Sequence, residues 1–215
     1  MPTTLSERDS KALLAPFGIP LAAERLVTSP DAAADAAKEL GYPVAVKLCG
    51  DNIAHKTERG LVRLGLTGPD AVASAAAALL EAARPEDQAT GVLVAPMVSG
   101  NRELIAGIAT DPQFGRTVLV GVGGILTEAI ADASIRRIPI TLLDAEEMID
   151  DLATQSLLGP FRGEPPVDRA ALARALVGLS DAAEAHPEIV SADLNPLIVS
   201  EGRPVAVDAL VEVTT

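Results

Sequence analysis

The stretch GYPVAVKLCGDNIAHKTERGLVRLGL, residues 41–66, decides how the chain folds. Its first apolar run, residues 44–49, predicts a short buried strand, and residues 61–66 predict a second strand that returns beside it. Lys47 lies inside the first run, and a buried ammonium group is costly unless it has a partner. The loop between the strands carries His55, one of two histidines in the chain. This pair suits phosphate chemistry; the alternative is an edge-strand lysine whose head reaches solvent, beside a solvated histidine.

Composition limits the classes of function. The chain has 215 residues, 48 % hydrophobic and 2 % aromatic, which is enough for one large domain or two small subdomains with aliphatic cores. Its formal net charge of -13 disfavours binding to nucleic acid and to anionic membranes, because both require a basic surface. We expect neither a signal peptide nor a membrane span. The single cysteine, Cys49, permits no internal disulfide, and we expect a cytoplasmic protein.

The first part of the chain predicts helices alternating with strands. Ser29-Pro30-Asp31 is a strong helix start, because it combines a capping oxygen, a proline at the first helical position and an acid near the positive end of the helix dipole. Gly68-Pro69-Asp70 predicts another helix start. The predicted elements are helices at 6–17, 30–41 and 69–83 and strands at 22–27, 44–49 and 61–66.

The second part is richer in strands. Residues 91–98 and 103–109 predict two strands, and the short link at 99–102 predicts that they form a hairpin. The further predicted elements are a strand at 118–122, a helix after Gly123-Gly124 bearing Glu128 and Asp132, helices at 144–152 and 168–185, and a hairpin of strands at 192–199 and 205–211. Antiparallel hairpins without repeated βαβ units indicate an α+β fold and argue against a doubly wound nucleotide-binding fold.

Eight segments together carry a resemblance to a known family. In chain order they are GYPVAVK, IAHKTERGLVRLGL, APMVSGNREL, DPQFGRTVLVGVGGILTE, DASIRRIP, LLGPFRG, DLNPLIV and AVDAL. The chain resembles the ATP-grasp domain, or β subunit, of ADP-forming acyl-CoA synthetases such as acetate–CoA ligase, in the succinyl-CoA synthetase superfamily. The resemblance implies an α+β ATP-grasp fold. Two subdomains with antiparallel sheets, approximately residues 20–95 and residues 1–19 plus 96–215, would grip the nucleotide.

The resemblance implies how ATP or ADP is bound. Lys47 reaches the α and β phosphates, a task that suits a flexible point cation. The strand at 92–98 is the hinge whose backbone reads adenine, with contacts from Ala95, Met97 and Val98.

Three further residues match family positions near the nucleotide. Glu103 holds the ribose or adenine side, unless it is an ordinary solvent-facing acid of its strand. Arg136 matches a family arginine near the phosphates and Glu128 a nearby family acid, unless either residue only pins its subdomain together.

The resemblance also implies a magnesium site near the end of the chain. Asn195 and Asp208 match the positions that hold Mg²⁺, a cation that prefers oxygen ligands and keeps several waters while it bridges phosphates. Asp193 shares the strand face of Asn195 and is a candidate helper. Ser191 departs from the family, where a glutamate is common. The alternative for Asn195-Pro196 is a structural turn.

His55 carries the catalytic prediction. In the family, the matching histidine accepts phosphoryl from ATP and passes it towards a second histidine on the CoA-binding part of the enzyme, which suits a neutral imidazole nitrogen near pH 7. The loop departs from the family at Glu58, where aspartate is usual, and at Leu61, where a glycine pair is common. His186 matches no motif, and we interpret it as structural.

The resulting functional prediction is one half of an enzyme. The chain would use Mg-ATP and a phosphohistidine to drive acyl-CoA formation, in a hetero-oligomer with a CoA-binding α subunit or domain that also holds the carboxylic acid. One alternative is a regulatory ATP-grasp module attached to a protein acetyltransferase or another partner, without catalysis of its own. Another is a carboxylate–amine ligase, which would use Lys47 and leave His55 without a role.

Overall fold

The computed structural model describes residues 2–51, 53, 56–124 and 130–214. They form two compact units. The lysine unit comprises Thr4–Asp9 and Ala22–Met97, and the large unit comprises Met1–Thr3, Ser10–Leu21 and Val98–Thr215. Thr4–Asp9 therefore lie with the lysine strand, rather than with the other residues before position 20, because Glu7 forms ion pairs there.

The lysine unit is built on a four-stranded antiparallel sheet in the order β2-β5-β3-β4. Every residue of β3 is buried, as expected for a central strand covered on both faces. Two alanine-rich helices pack against the sheet and close an aliphatic core. The elements are β2 Arg25–Val27, α2 Pro30–Leu40, β3 Val44–Gly50, β4 Val62–Leu66, α3 Pro69–Glu81, a 3-10 helix Pro85–Asp87 and β5 Ala89–Pro96.

The large unit contains a seven-stranded sheet in the order β1-β11-β9-β6-β7-β8, with β10 also paired to β9. Strand β9 is central to the candidate site described below, because β6, β10 and β11 all pair with it in antiparallel register. The strands are β1 Pro2–Thr4, β6 Glu103–Asp111, β7 Gly115–Val122, β8 Ala133–Arg137, β9 Ile189–Ser200, β10 Arg203–Ala206 and β11 Leu210–Thr214.

Helices of the large unit flank this sheet. The long α6, Arg169–Ala185, packs against β6 and β7 with an almost wholly aliphatic buried face. The others are α4 Leu142–Asp150 and the short α5 Gln155–Leu158, while α1, Glu7–Leu14, crosses the boundary between the units. No helix in the described part of the chain is long and apolar enough to cross a membrane.

The predicted helix starts after Ser6, Ser29 and Gly68 are confirmed. The hydroxyl of Ser29 accepts from the Ala32 N–H at the start of α2, followed by proline at the first helical position. Ser6 likewise caps α1, since its hydroxyl accepts from the Asp9 N–H at 3.2 Å. Both serines stabilise their helix, because each hydroxyl accepts from a backbone N–H that the first helical turn leaves unpaired.

Two predictions about strands are wrong, and strand β8 was not predicted. The segment at 99–102 does not close a hairpin, since β5 and β6 belong to different sheets. The last strand, expected at 205–211, is two strands separated by a break at 207–209. Strand β8 escaped prediction because its pattern is inverted, with Ser134 facing the interior and Ile135 facing solvent. The helix expected after Gly124 falls largely outside the described residues, and Asp132 precedes β8 without being helical.

Candidate functional site

Lys47 lies at the centre of the lysine unit. Strand β3 places it opposite Val62 of β4 and Leu93 of β5. Its side chain is only 9 % exposed, and its Nζ donates to Oε1 of Glu7 at 2.8 Å. The alternative of an edge-strand lysine with its head in solvent is therefore wrong. The buried cation has the acidic partner that its burial demands.

Glu7 is the first residue of α1 and was not recognised from sequence as a site residue. One carboxylate oxygen pairs with Lys47 and the other with Lys56, and its side chain is 1 % exposed. The signal that pointed to it was the buried lysine itself, which requires a nearby acid. Sequence alone does not show which of the 30 acidic residues supplies that charge.

His55 lies outside the described residues, and the segment that follows it, residues 56–61, leads into β4. The N–H of Leu61 donates to the carbonyl of Lys56 at 2.8 Å, which closes a turn before β4. Arg59 makes two hydrogen bonds to the carboxylate of Asp87, at 2.7 and 2.9 Å. This guanidinium holds the pKa of Asp87 below its ordinary value, despite the burial of the carboxylate. Residues 56–61 are thus fastened to the body of the unit.

The hinge candidates lie at the end of β5. Ala95 is buried and pairs with Ala45 of β3, while the N–H of Met97 donates to the carbonyl of Pro43 at 2.9 Å. Met97 is the last residue of the lysine unit and Val98 the first of this stretch of the large unit. The structure therefore places these residues at a change of unit, and their contact with adenine stays a prediction.

Three polar residues of the large unit come together along β9. Asp193 and Asn195 share one face of the strand, since side chains alternate along it. Asp208 lies between β10 and β11, both of which pair with β9, and the register sets Leu210 opposite Asp193. Asp208 is thus not on a strand of a simple hairpin as expected. It nevertheless lies near Asp193, since its charge acts on that carboxylate.

The electrostatics of this group suit a divalent cation. Burial among the surrounding atoms and then the negative charge of Asp208 raise the pKa of Asp193 to about 6, although part of the Asp193 side chain is accessible. A cation beside these carboxylates would offset the negative charge that disfavours ionisation of Asp193. Within the described residues, no three acidic, histidine or cysteine side chains form a metal site alone. The Asn195 amide oxygen is of the ligand type that Mg²⁺ accepts, and its role as a further donor stays a prediction.

Asn195 is fixed by the backbone at the Gly-Gly turn. Its Oδ1 accepts from the N–H of Gly124 at 3.1 Å, and the amide oxygen has a second lone pair for another partner. The Asn195-Pro196 pair lies within β9, so the alternative of a turn is wrong. Gly124 has φ +68°, and a Cβ there would lie 1.6 Å from Oε2 of Glu103. Glu103 is thus half-buried against the turn, and its role toward ribose stays a prediction.

Arg136 and Ser191 each contact an acidic residue elsewhere in the large unit. Arg136 pairs with Asp151 at 2.5 Å and lies on β8, three strands from β9 in the sheet. The structure does not bring it to the Asn195 group, which favours a role in pinning its subdomain. Ser191, which departs from the family, donates to Glu212 of β11 at 2.8 Å. Glu128 lies outside the described residues.

Comparison with known proteins identifies the family to which the chain belongs. A sequence profile for a family described as ATP-grasp domain matches residues 2–213. The chain belongs to this ATP-grasp family, and both the resemblance drawn from its motifs and the expected α+β ATP-grasp fold are confirmed.

Individual relatives match the chain over nearly its whole length. The chain is 37 % identical to the β subunit of acetate–CoA ligase [ADP-forming] II from Pyrococcus furiosus, over 96 % of this chain and 90 % of that subunit. It is 33 % identical to the dinucleotide-forming acetyl-coenzyme A synthetase 1 of Ca. Korarchaeum cryptofilum, solved with coenzyme A and Ca-AMPCP. That match has a TM-score of 0.91 and covers 99 % of this chain and 94 % of the other.

A second structure of the Korarchaeum enzyme is relevant to the prediction that His55 is phosphorylated. It was solved with coenzyme A and Mg-AMPPCP, with a phosphohistidine segment pointing towards the nucleotide binding site. The TM-score is 0.82 at 33 % identity, over 97 % of this chain and 92 % of that chain.

Proposed function

We propose that the chain is the nucleotide-binding part of an ADP-forming acyl-CoA synthetase. It forms acyl-CoA in the cytoplasm as a hetero-oligomer with a partner that carries the CoA site. The observation that carries the proposal is the 37 % identity, over nearly the whole chain, to a β subunit of an ADP-forming acetate–CoA ligase. The carboxylic acid is selected mainly by the partner.

The two groups of site residues have different roles: one contacts the phosphates and the other holds the metal ion. Lys47 contacts the phosphates as a point cation, which its place on the rigid central strand supports. Asn195 and Asp208 hold Mg²⁺, and Asp193 contributes a second carboxylate. These residues would hold the cation, which would supply positive charge to offset that of the phosphates.

His55 carries the phosphoryl group between ATP and the partner. A neutral imidazole nitrogen attacks the γ-phosphorus, an N–P bond forms, and ADP leaves as the bond to its β-phosphate oxygen breaks. The N–P bond at His55 then breaks as a second histidine on the partner takes the phosphoryl group, which passes on to the carboxylate of the acid. The CoA thiol displaces phosphate from the resulting acyl phosphate. The phosphohistidine segment of the Korarchaeum enzyme supports this assignment by similarity.

Calorimetric titration with Mg-ADP tests the proposal. Wild type should bind, and Lys47→Ala should bind roughly ten- to hundredfold more weakly, because one charge-assisted phosphate contact is lost. Lys38→Ala is the matched control, since Lys38 is an exposed lysine of the same unit that pairs with Asp35. No binding by wild type, or equal binding by wild type and Lys47→Ala, would contradict the proposal.

A further inference from the structure

The two lysines that share Glu7 form a buried three-residue ion cluster in the lysine unit. Oε1 of Glu7 lies 2.8 Å from Nζ of Lys47, and Oε2 pairs with Nζ of Lys56. The exposed fractions of the Glu7, Lys47 and Lys56 side chains are 1 %, 9 % and 8 %. Each oxygen thus serves a different cation, and the charges interact strongly because little water screens them.

Lys56 is fixed in place by its own surroundings. Its carbonyl accepts from Leu61, and three residues further on Arg59 is held by both carboxylate oxygens of Asp87. Lys47 is equally constrained at its backbone, because β3 is hydrogen-bonded on both sides. With both lysine backbones fixed, the strength of each ion pair depends on how strongly the other lysine attracts the Glu7 carboxylate.

We propose that Glu7 is a positioning residue for Lys47, and that Lys56 sets how strongly Glu7 holds it. An ammonium group has three N–H donors, so Lys47 can keep its bond to Glu7 and still donate to phosphate. Lys56 draws part of the carboxylate charge to itself, which leaves Lys47 more available to an anion. This inference rests on the proposed function of Lys47 and assigns roles to two residues beyond it.

The proposal predicts an effect of Lys56 on nucleotide binding that passes through Glu7. In Lys56→Met the carboxylate loses the cation that pairs with its Oε2 and holds Lys47 more strongly, so phosphate competes less well for Lys47. We expect Mg-ADP affinity to fall roughly tenfold, the scale of one charge-assisted hydrogen bond. In the Glu7→Gln background there is no carboxylate to redistribute, and adding Lys56→Met should change the affinity little.

The experiment is a double-mutant cycle on Mg-ADP affinity, measured by calorimetry with wild type, Glu7→Gln, Lys56→Met and the double variant. Lys56→Arg should retain near wild-type affinity, because it keeps the second cation. Lys38→Met removes one exposed lysine from the same unit and should leave the affinity unchanged. Circular dichroism checks folding; if Lys56→Met does not fold, Lys56→Gln replaces it in the cycle with the same expectation.

The outcomes separate this inference from the proposed function. If wild type binds Mg-ADP and Lys47→Ala weakens binding, the proposed function stands, and the cycle then judges Glu7 and Lys56 alone. Unchanged affinity in Lys56→Met would overturn the inference. So would an equal loss from Lys56→Met in both backgrounds, since that result indicates direct contact of Lys56 with the nucleotide. If wild type does not bind, the proposed function fails and the inference fails with it.

Discussion

The backbone N–H of Gly124 donates a hydrogen bond to Oδ1 of Asn195 at 3.1 Å. Gly124 lies two residues beyond the end of β7, and Asn195 lies in the middle of β9. The bond orients the amide oxygen that we assign to Mg²⁺. The glycine is favoured chiefly by its φ of +68°; a Cβ there would also force the end of the Glu103 side chain, 1.6 Å away, to shift.

Gly124→Ala should therefore damage the candidate metal site without touching a metal ligand. The added methyl group displaces Glu103 or the turn, and Asn195 loses its fixed orientation. We expect Mg-ADP affinity to fall about tenfold, as measured by calorimetry. The matched control is Gly163→Ala, which also has a positive φ, +86°, but has no atom within 4 Å of the added Cβ. Equal affinities in the two variants would show that the Gly124 turn does not support the site.

Asp208→Asn should weaken nucleotide binding chiefly when Mg²⁺ is present. The substitution keeps the shape of the side chain and removes a carboxylate, the ligand type that Mg²⁺ favours. Titrations with ADP, with and without Mg²⁺, should show a larger loss with the metal. Asp181→Asn, which removes an exposed carboxylate on α6 of the same unit, should behave as wild type. An equal loss with and without Mg²⁺ would make Asp208 a structural residue.

Arg102→Met should destabilise the large unit strongly. Arg102 is 2 % exposed, and its guanidinium donates to a carboxylate of Glu164 and to the carbonyls of Leu157, Gly159 and Pro165. Methionine fills a similar volume but leaves these acceptors without their donor. Each buried acceptor left without its donor costs about 1–3 kcal/mol of unfolding free energy.

Urea unfolding followed by circular dichroism measures this loss. Arg169→Met is the matched control, because Arg169 pairs with Asp150 at the surface of the same unit. Exposed ion pairs contribute at most about 1 kcal/mol, so the control should unfold near the wild-type midpoint. Similar midpoints for both variants would refute the structural role of Arg102 in holding the segment from Leu157 to Pro165.

Local chemistry explains which parts of the fold were predictable. The capped helix starts and the buried strand around Lys47 follow from short-range signals, each of which satisfies a nearby backbone donor or buries a continuous apolar run. The hairpin expected at 99–102 failed because a short link between two strands does not reveal whether both join the same sheet. The Arg102 contacts on Leu157–Pro165 are equally non-local.

The residues of the candidate site were likewise predictable only where they lie in a local motif. Lys47, Asn195 and Asp208 lie in recognisable motifs, so the sequence named them. Glu7 lies 40 residues from Lys47, in a helix start where an acid already has a local explanation through the helix dipole. Its pairing with two lysines is a tertiary contact that overrides this explanation. The proximity of the Asp193 and Asp208 carboxylates likewise depends on a tertiary feature, because β10 and β11 both pair with β9.

The phosphoryl transfer should depend on His55. Incubated with Mg-ATP, wild type should acquire a phosphate that is labile to acid and stable to base, as expected for a phosphoramidate, and His55→Asn should not. His55→Asn should bind Mg-ADP nearly as well as wild type, because a nucleophile contributes to the transition state and little to ground-state binding. Acyl-CoA formation with the CoA-binding partner should fall by orders of magnitude.

His186→Ala is the matched control for the loss of a histidine. His186 lies at the end of α6, where its Nδ1 is 3.0 Å from Glu188 and its ring meets the edge of Phe17, so it has a structural explanation. This variant should be phosphorylated at the wild-type rate. Retained labelling and full acyl-CoA formation in His55→Asn would remove the relay and leave direct transfer or a regulatory role for the nucleotide. Loss of labelling in both variants would instead indicate damage to the fold, which melting temperatures would reveal.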